Sequence, residues 1–353
     1  MTSVPAPRKV KLRDVALACH VSVATASKAL GGHLDVASET RKRVTDVART
    51  LGYRSSSAGP GATTATILFL TDDLRSSYAT DILRGVLTES LARQLHTLVQ
   101  YDEHAFQPAS RHEWLRALAT PNLRGVVVLA VVTRQIHALL AKLAIPVVVI
   151  DPSTRPGSPL LWIDTDNHAG AFAATKHLAE LGHREIVYLG PATPSLVFTA
   201  RRAGHLDALQ QHGLDHRAEL VIDTGSTFDS AVRAATGVLD AHDRPRAVIA
   251  ATDVIAGAVY RAAQLAGLRI PEDLSVVGFD DTVEASRLSP PLTTIHQPLA
   301  EMGAAAVRML DEPGPRAAHT RVESHLIVRA SATPREATPE ELTHVHNDRG
   351  EQS

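Results

Sequence analysis

The first 54 residues carry a concentration of positive charge that suits contact with phosphate groups. They contain ten lysine or arginine residues against four acidic residues, a net charge of about +6, while the whole 353-residue chain has a formal charge of −2. The remaining chain is therefore acidic, at about −8. This is the charge distribution expected of a protein that binds nucleic acid through its basic segment alone. On charge alone, a solvated basic surface explains the pattern equally well.

Residues 11–30 predict two short helices joined by a tight turn. Apolar residues at helical spacing indicate a first helix within residues 11–20, and a second helix is predicted over residues 23–30. Ser22 is a good N-cap for the second helix, because its hydroxyl can accept from first-turn amides. In a helix-turn-helix the second helix enters the major groove. The predicted DNA-binding residues are therefore Ser22, Val23, Ala24, Thr25, Ser27 and Lys28.

These side chains offer different contacts to DNA. Thr25 and Ser27 can donate to phosphates. Val23 and Ala24 offer only apolar contact, for example to a thymine methyl group, whereas Lys28 can donate to guanine O6 or N7. A small helical bundle that contacts other proteins is the alternative, but the helix pattern, the charge and the following linker together favour DNA binding.

A third helix is predicted over residues 38–51. Its spacing turns four apolar side chains inward and leaves four basic side chains outside. The inward residues are Val44, Val47, Ala48 and Leu51, and the outward residues are Arg41, Lys42, Arg43 and Arg49.

Composition divides the chain into five segments. Residues 1–8 form a flexible arm, 9–54 the helix-turn-helix domain, 55–65 a linker rich in Ser, Gly and Pro, 66–333 the core, and 334–353 a polar tail predicted to be disordered.

The core segment predicts two α/β lobes. Short apolar runs alternate with helical stretches in one series over residues 67–150 and in a second over residues 168–279. This alternation indicates βαβ units and parallel sheets covered by helices on both faces. The predicted fold is an all-α helix-turn-helix head plus an α/β core of two doubly wound parallel-sheet lobes. Ligands bind in such a core in the cleft at the carboxyl ends of the strands.

Two other classes of protein fit the sequence less well. It contains no GxSxG, P-loop, HExxH or cysteine cluster, and its eighteen histidines are scattered, including His344 and His346 in the tail. We therefore expect no enzyme activity, no catalytic residue, no metal site and no cofactor. A secreted binding protein is disfavoured by the basic head and the lack of an apolar signal region. A single cysteine, Cys19, and the lack of an 18-residue apolar run favour a cytoplasmic protein without a membrane span, associated with the nucleoid when bound to DNA.

Motifs in both segments resemble the lactose-repressor (LacI/GalR) family. They are LRDVA (12–16), VSVATASKAL (21–30), ETR (39–41) and LGYR (51–54) in the head, and LGHREI (181–186), IPEDLSVVGFDD (270–281), PLTTI (291–295) and LIVRAS (326–331) in the core. The resemblance implies a bacterial transcriptional regulator, expected to be a repressor, that binds near-palindromic double-stranded operator DNA as a homodimer, with a higher oligomer left open.

The resemblance also implies a core like that of a periplasmic sugar-binding protein, with a small-molecule effector between the lobes. The N-lobe would comprise about 66–165 plus 297–323, and the C-lobe about 166–294 plus 324–333. Arginine and several aspartates in a cleft can bond vicinal hydroxyls, which favours a sugar or nucleoside-like effector. A structural ion pair or a bridge between lobes is the alternative role of each residue. The implied effector-binding residues are Tyr78, Asp151, Arg201, Phe228, Thr252, Asp253, Asp280 and Gln297.

Three features depart from the family pattern. His20 stands in the turn where relatives usually carry glycine, and histidine tolerates a left-handed backbone better than most residues do. Residues 55–65 lack leucine and contain Gly59-Pro60-Gly61, which opposes a helix by about 1 kcal/mol for each glycine and about 3 kcal/mol for the proline. We expect no hinge helix that wedges into the minor groove, and therefore weak DNA bending. Val197 stands where relatives often carry a hydroxyl, which predicts a more apolar pocket than a simple sugar site.

Overall fold

A computed structural model gives the structure of the chain, which forms two compact units, Met1–Thr63 and Thr64–Ser353. The described residues are 10–30, 36–51, 65–101, 118, 120, 122–130, 134–143, 145–157, 159–193, 195–215, 220–225, 227–242, 244–311 and 319–335. The predicted arm, the linker up to residue 64, nearly all of a helix predicted over 111–119, and the tail beyond residue 335 lie outside them.

The first unit contains the three predicted helices, α1 (Leu12–Ala18), α2 (Val23–Leu30) and α3 (Ser38–Thr50). Their apolar faces meet in one small core that includes Val15, Ala26 and Val44. The prediction that Leu51 points inward is wrong, because α3 ends at Thr50 and Leu51 is 39% exposed. The helix-turn-helix fold class is confirmed.

The N-lobe of the second unit is a six-stranded sheet in the order β11-β5-β4-β3-β1-β2. Its strands are β1 (Thr66–Thr71), β2 (His96–Tyr101), β3 (Leu123–Leu129), β4 (Val147–Ile150), β5 (Leu161–Thr165) and β11 (His319–Val322). All neighbouring strands pair in parallel. Its described helices are α4 (Ser77–Ala92), α5 (Arg134–Leu140) and α11 (Leu299–Asp311).

The C-lobe is a second six-stranded sheet, in the order β12-β10-β9-β8-β6-β7. Its strands are β6 (Val187–Gly190), β7 (Val221–Asp223), β8 (Ala247–Ala250), β9 (Ser275–Asp280), β10 (Thr293–His296) and β12 (His325–Ile327). Among the described strands of this sheet, only β12 runs antiparallel to its neighbour. The helices are α6 (Asn167–Glu180), α7 (Leu196–Gln211), α8 (Phe228–Leu239), α9 (Asp253–Leu265) and α10 (Val283–Arg287).

The central strands of both lobes are continuous apolar runs, as expected where helices cover both faces of a parallel sheet. Val126–Val128 of β3 and Val276–Val277 of β9 are fully buried. The prediction of two doubly wound parallel-sheet lobes is confirmed. The chain crosses between lobes after β5, after β10 and between β11 and β12. In the described part of the chain, no helix is long and apolar enough to span a membrane.

A glycine sets the position of the helix that carries Arg201. An added Cβ at Gly204 of α7 would lie 2.1 Å from the carbonyl oxygen of His168 in α6. The two helices therefore pack closely only because residue 204 has no side chain. This packing holds the first turns of α7 against the cleft.

Candidate effector cleft and DNA-reading helix

A cavity of about 550 Å³ lies between the lobes, at the carboxyl ends of the parallel strands. Its volume lies within the range typical of small-molecule sites. Thr71, at the end of β1, and Asp151, directly after β4, line it from the N-lobe. Thr252 and Asp280, at the ends of β8 and β9, line it from the C-lobe. Strand direction therefore brings these polar side chains to one place.

Asp151 is the central polar group of the N-lobe wall. Its Oδ2 accepts a hydrogen bond from the hydroxyl of Tyr78, at the start of α4. Its Oδ1 is buried and has no hydrogen-bond partner among the described residues. Burial raises the pKa of Asp151 to about 6. The backbone of Asp151 is left-handed, with φ of 44°, a conformation that costs free energy for a non-glycine residue and is concentrated at functional sites.

Arg201 is the central group of the C-lobe wall and is only 2% exposed. Its Nε donates to Asn167 Oδ1 at 2.8 Å, and its Nη1 donates to the Ala251 carbonyl oxygen at 2.5 Å and to Asp280 Oδ1 at 3.3 Å. The guanidinium carbon lies 3.7 Å from the centre of the Phe279 ring. These contacts fix the guanidinium in the cavity wall before any ligand arrives.

Asp280 connects this wall to the point where the chain crosses between lobes. Its Oδ1 also accepts from Gln297 Nε2 at 2.7 Å, and Thr165 Oγ1 donates to Gln297 Oε1 at 2.5 Å. Thr165 ends β5 in the N-lobe, so the bonds link both lobes. Burial raises the pKa of Asp280 to about 6, against the opposing effect of Arg201.

Asp253 lies behind the wall and is 3% exposed. Its Oδ2 accepts from the backbone amide and hydroxyl of Thr282, at 2.7 and 3.1 Å, and its Oδ1 accepts from Thr294 Oγ1 at 2.6 Å. Burial, and then the neighbouring Asp280 carboxylate, raise the pKa of Asp253 to about 8. Because Asp280 has a guanidinium partner and Asp253 has only neutral donors, the pKa of Asp253 is raised further than that of Asp280.

The structure brings five of the eight sequence-predicted effector residues to the cavity surface: Tyr78, Asp151, Arg201, Thr252 and Asp280. It places Asp253 and Gln297 behind Asp280 as supports, since their polar atoms bond within the protein. Phe228 differs most from expectation. It is the first residue of α8 and is 45% exposed, and the cavity is lined there by the preceding residue, Thr227.

Other lining residues were not predicted as ligand contacts. Asp72 and Asp73 follow β1 directly, as Asp151 follows β4, so they too lie at the carboxyl ends of parallel strands, where ligands bind in this architecture. Phe198 precedes Arg201 by three residues on α7, a spacing that places both side chains on one helix face. Val197 also lines the cavity, in agreement with the prediction of an apolar wall at that position.

The charge of the cavity is predominantly acidic. Four carboxylate residues line it, Asp72, Asp73, Asp151 and Asp280, against one arginine among the described lining residues. That arginine already pairs with Asp280. An anionic ligand would therefore meet an excess of like charge, whereas a neutral ligand rich in hydroxyl groups would find acceptors.

The lobes also touch beside the cavity. Ser77 Oγ, at the start of α4, donates to Glu284 Oε1 of α10 at 2.6 Å. The backbone amide of Leu196 donates to the carbonyl oxygen of Ser153 at 2.9 Å. The cleft is thus bridged by bonds that a change in lobe angle would alter.

In the first unit, the turn before α2 has the predicted geometry. His20 adopts a left-handed backbone, with φ of 53°, and the amide of Thr25 donates to Ser22 Oγ at 2.9 Å. Both sequence predictions about the turn are confirmed. Val23, the first residue of α2, is 49% exposed, so its apolar side chain is accessible at the start of this helix.

Comparison with known proteins agrees with this division into a head and a core. Residues 11–56 match the family described as bacterial regulatory proteins, lacI family, and residues 175–332 match a periplasmic binding protein-like domain. The HTH-type transcriptional repressor PurR of Photobacterium profundum is 30% identical over 330 residues, which span 91% of this chain and 98% of that protein. The HTH-type transcriptional repressor CytR of Escherichia coli is 30% identical over 302 residues, 85% of this chain and 88% of that protein.

Among solved structures, the complex of the transcriptional regulator CelR with cellobiose superposes with a TM-score of 0.69 at 26% identity, covering 92% of this chain and all of that one. The head and the two-lobed core define a DNA-binding transcriptional regulator with a small-molecule-binding domain. The chain belongs to the LacI family.

Proposed function

We propose that this regulator is controlled by a neutral, polyhydroxylated small molecule, a sugar or a nucleoside, bound between Asp151 and Arg201. The observation that carries the proposal is the unpartnered, buried Oδ1 of Asp151 in a cavity whose opposite wall holds a fixed guanidinium. A buried acceptor without a donor costs about 1–3 kcal/mol. A ligand hydroxyl that donates to Oδ1 removes this cost.

Two further facts support a neutral ligand. The excess of carboxylates lining the cavity disfavours phosphorylated or carboxylated molecules. CelR, which resembles this chain over nearly its whole length, is described in complex with cellobiose, a neutral sugar. A nucleoside remains the second candidate, because Tyr78 and Phe198 supply aromatic rings beside the polar groups.

The ligand would act by favouring one angle between the lobes. A molecule that bonds Asp151 of the N-lobe and Arg201 of the C-lobe at once binds more tightly when the walls are closer together, so it shifts the population toward that state. In a homodimer, that shift changes the spacing of two heads on a palindromic operator. We propose residues 9–54 as the DNA-binding domain and residues 55–65 as a hinge without a wedging helix. We propose about 66–165 plus 297–323 as the N-lobe, and about 166–294 plus 324–333 as the C-lobe.

A thermal-shift panel of neutral sugars, sugar phosphates, nucleosides and nucleotides tests the proposed effector class on the full chain. A bound ligand stabilises the folded state by mass action, by about 2.7 kcal/mol at one hundred times its dissociation constant. We expect neutral sugars or nucleosides to raise the melting temperature and their phosphorylated counterparts to fail. Stabilisation by the phosphorylated compounds alone would contradict the proposal.

DNA readout by α2 is tested by mobility shift on palindromic operator DNA at several salt concentrations. Lys28→Ala should weaken specific binding by about 1–3 kcal/mol, because it removes a donor to a base edge, and leave the ligand response intact. Binding by the unaltered protein should fall steeply as salt rises. An unchanged operator affinity would remove Lys28 from the readout, and a strong kink at the operator centre would contradict the proposed hinge.

A further inference from the structure

A second cavity, of about 340 Å³, lies in the C-lobe on the other side of Phe198. Pro191, Thr193 and Phe198 line both this side chamber and the main cavity. The remaining walls come from β6, from the ends of β7 and from the first turns of α7. Phe198 is half-buried, so it stands as a partition between two adjoining spaces.

The side chamber contains a polar group that the protein leaves unsatisfied. The Tyr188 hydroxyl is buried, its residue is 2% exposed, and it has no hydrogen-bond partner in the part of the chain that is described. The hydroxyl lies against the backbone of Gly190, where an added Cβ would be 2.9 Å from Oη. Gly190 and Tyr188 both line the chamber, so the buried hydroxyl lies within the chamber wall.

A second unsatisfied atom belongs to His205, whose ring packs near that of Tyr188 but which is not among the residues that line either cavity. The hydroxyl of Thr175 donates to the carbonyl oxygen of Ala171, so His205 Nδ1, 3.0 Å from that hydroxyl, must carry a hydrogen and donate to it. His205 Nε2 is therefore an acceptor, and it is buried without a partner among the described residues. The rings of His205 and Tyr188 are 5.5 Å apart. A donor and an acceptor are thus both left open.

Both groups are neutral, which defines the chemistry they can recognise. Burial raises the pKa of Tyr188 to about 12 and lowers the pKa of His205 to about 4. A charged ligand group would find no buried counter-charge at Tyr188. A ligand hydroxyl fits, because it can accept a hydrogen bond from the Tyr188 hydroxyl. The charged residues Arg202 and Asp223 line the chamber too, but Arg202 is exposed, and Asp223 Oδ1 accepts from the amides of Ala192 and Gly225.

We propose that the side chamber binds a second hydroxylated ring of the effector, so that the preferred ligand is a neutral two-ring molecule such as a disaccharide. The first ring lies between Asp151 and Arg201, and the second passes Phe198 to reach the hydroxyl of Tyr188. This inference rests on the proposed function, since it assumes that a neutral hydroxylated ligand occupies the main cavity.

The first experiment fills the side chamber. Thr199 lines the side chamber but not the main cavity, and it is exposed on α7, so Thr199→Trp adds bulk there without disturbing the core. Calorimetry on the full-length protein compares glucose with cellobiose, galactose with lactose, and ribose with adenosine. We expect one disaccharide to bind at least tenfold more tightly than its single-ring counterpart, and Thr199→Trp to abolish that advantage while leaving single-ring binding unchanged. An advantage shown by adenosine alone would overturn the hydroxylated second ring, because adenine carries no hydroxyl group.

Gln210→Trp is the matched control, because Gln210 is exposed on the same helix about three turns farther along, outside both cavities. It should preserve the two-ring advantage. Equal affinity for one-ring and two-ring compounds, or an advantage that survives Thr199→Trp, would overturn the side chamber while leaving the proposed function intact. Binding by none of the neutral compounds would overturn both.

The second experiment removes one hydroxyl. Tyr188→Phe should weaken two-ring binding about three- to tenfold, the value of a neutral hydrogen bond, without lowering the melting temperature, because the hydroxyl has no partner to lose. Tyr260→Phe is the control, since the Tyr260 hydroxyl donates to the Pro290 carbonyl oxygen at 2.9 Å. It should lower stability and leave affinity unchanged. Tyr188→Phe with unaltered two-ring affinity would show that only water occupies the chamber.

Discussion

On the C-lobe wall of the cleft, Arg201 makes three hydrogen bonds inside the protein, whereas on the N-lobe wall Asp151 keeps one carboxylate oxygen without a partner. Arg201 is buried in the second turn of α7, whereas Asp151 is half-buried and lies directly after β4, at the carboxyl end of a parallel strand. The two walls therefore differ in whether their central polar group has all of its hydrogen-bond partners within the protein. The hydrogen bonds of the C-lobe wall are complete without ligand, whereas those of the N-lobe wall would be completed by the proposed ligand.

This difference predicts which wall mainly determines the affinity for the proposed ligand and which wall mainly determines the stability of the fold. A preorganised guanidinium binds a hydroxyl at little ordering cost, because its geometry is already fixed. An unsatisfied carboxylate gains more from contact than a satisfied group does. The response to ligand should therefore depend mainly on the N-lobe side, while removal of C-lobe groups should damage the fold itself.

The largest expected effect is a loss of stability when the C-lobe wall is broken. Arg201→Met leaves the Asn167 side-chain oxygen without its donor and leaves the buried Asp280 carboxylate with only the neutral donor Gln297. It should lower the free energy of unfolding by about 3–5 kcal/mol. Urea denaturation followed by circular dichroism measures this. Lys176→Met, which removes a surface ion pair with Glu180, is the control and should change stability by less than about 1 kcal/mol. A loss of similar size in both variants would mean that the C-lobe wall is not a preassembled network.

The next effect is on affinity, at the N-lobe wall. Asp151→Asn replaces an acceptor with a donor of the same shape, while the remaining amide oxygen can still accept from Tyr78. It should weaken binding of the neutral ligand about 10- to 100-fold, the range for hydrogen bonds to charged groups, and leave the melting temperature of the free protein equal or higher. Calorimetry and thermal denaturation measure the two quantities.

Asp207→Asn, at an exposed site where Asp207 bonds His168, is the matched substitution outside the cleft. It should alter neither quantity. A destabilised Asp151→Asn protein with full affinity would reverse the assignment of roles to the two walls.

The parts of the molecule that sequence predicted well are those set by local pattern. The bounds of α2, the left-handed His20 and the cap at Ser22 depend on neighbours a few residues away. The two series of strands and helices follow from apolar periodicity. Six elements fell outside those series. Five of them, β5, β10, α11, β11 and β12, border the crossings between lobes, and the sixth, α10, is only five residues long.

Within the cleft, the resemblance indicated residues but not which of their atoms are satisfied. Asp253 comes shortly after β8 and Asp280 is the last residue of β9, yet Asp253 is enclosed by Thr282 and Thr294 while Asp280 lines the cavity. That distinction depends on strand neighbours about 30 to 40 positions apart. The exposure of Phe228 likewise depends on where α8 begins relative to the cavity, which no local pattern specifies.

A further effect, small for each pH unit, is a pH dependence of stability, again on the C-lobe side. The pKa of Asp253 is raised from 3.8 to about 8, so the folded state holds a proton that the unfolded state releases above pH 4. Its contribution to stability is present below pH 4 and is lost as the pH rises toward 8, with a slope of at most about 1.4 kcal/mol per pH unit. Asp253→Asn, which mimics the protonated acid, should flatten the decline in unfolding free energy between pH 5 and pH 8. An unchanged slope would mean that Asp253 is ionised and that the C-lobe wall carries two carboxylate charges beside Arg201.

The smallest expected effect comes from making the C-lobe wall more polar at one position. Val197 lines the C-lobe side where relatives often carry a hydroxyl, and it is half-buried in the first turn of α7. Val197→Ser should lower the free energy of unfolding by about 1 kcal/mol or less, since it removes a partly buried apolar side chain. It should tighten binding of a neutral sugar by up to about threefold if the sugar presents a hydroxyl to that wall, as calorimetry would show. Weaker binding would instead mean that an apolar face of the ligand packs on the C-lobe, which would leave Asp151 and the N-lobe as the main source of polar recognition.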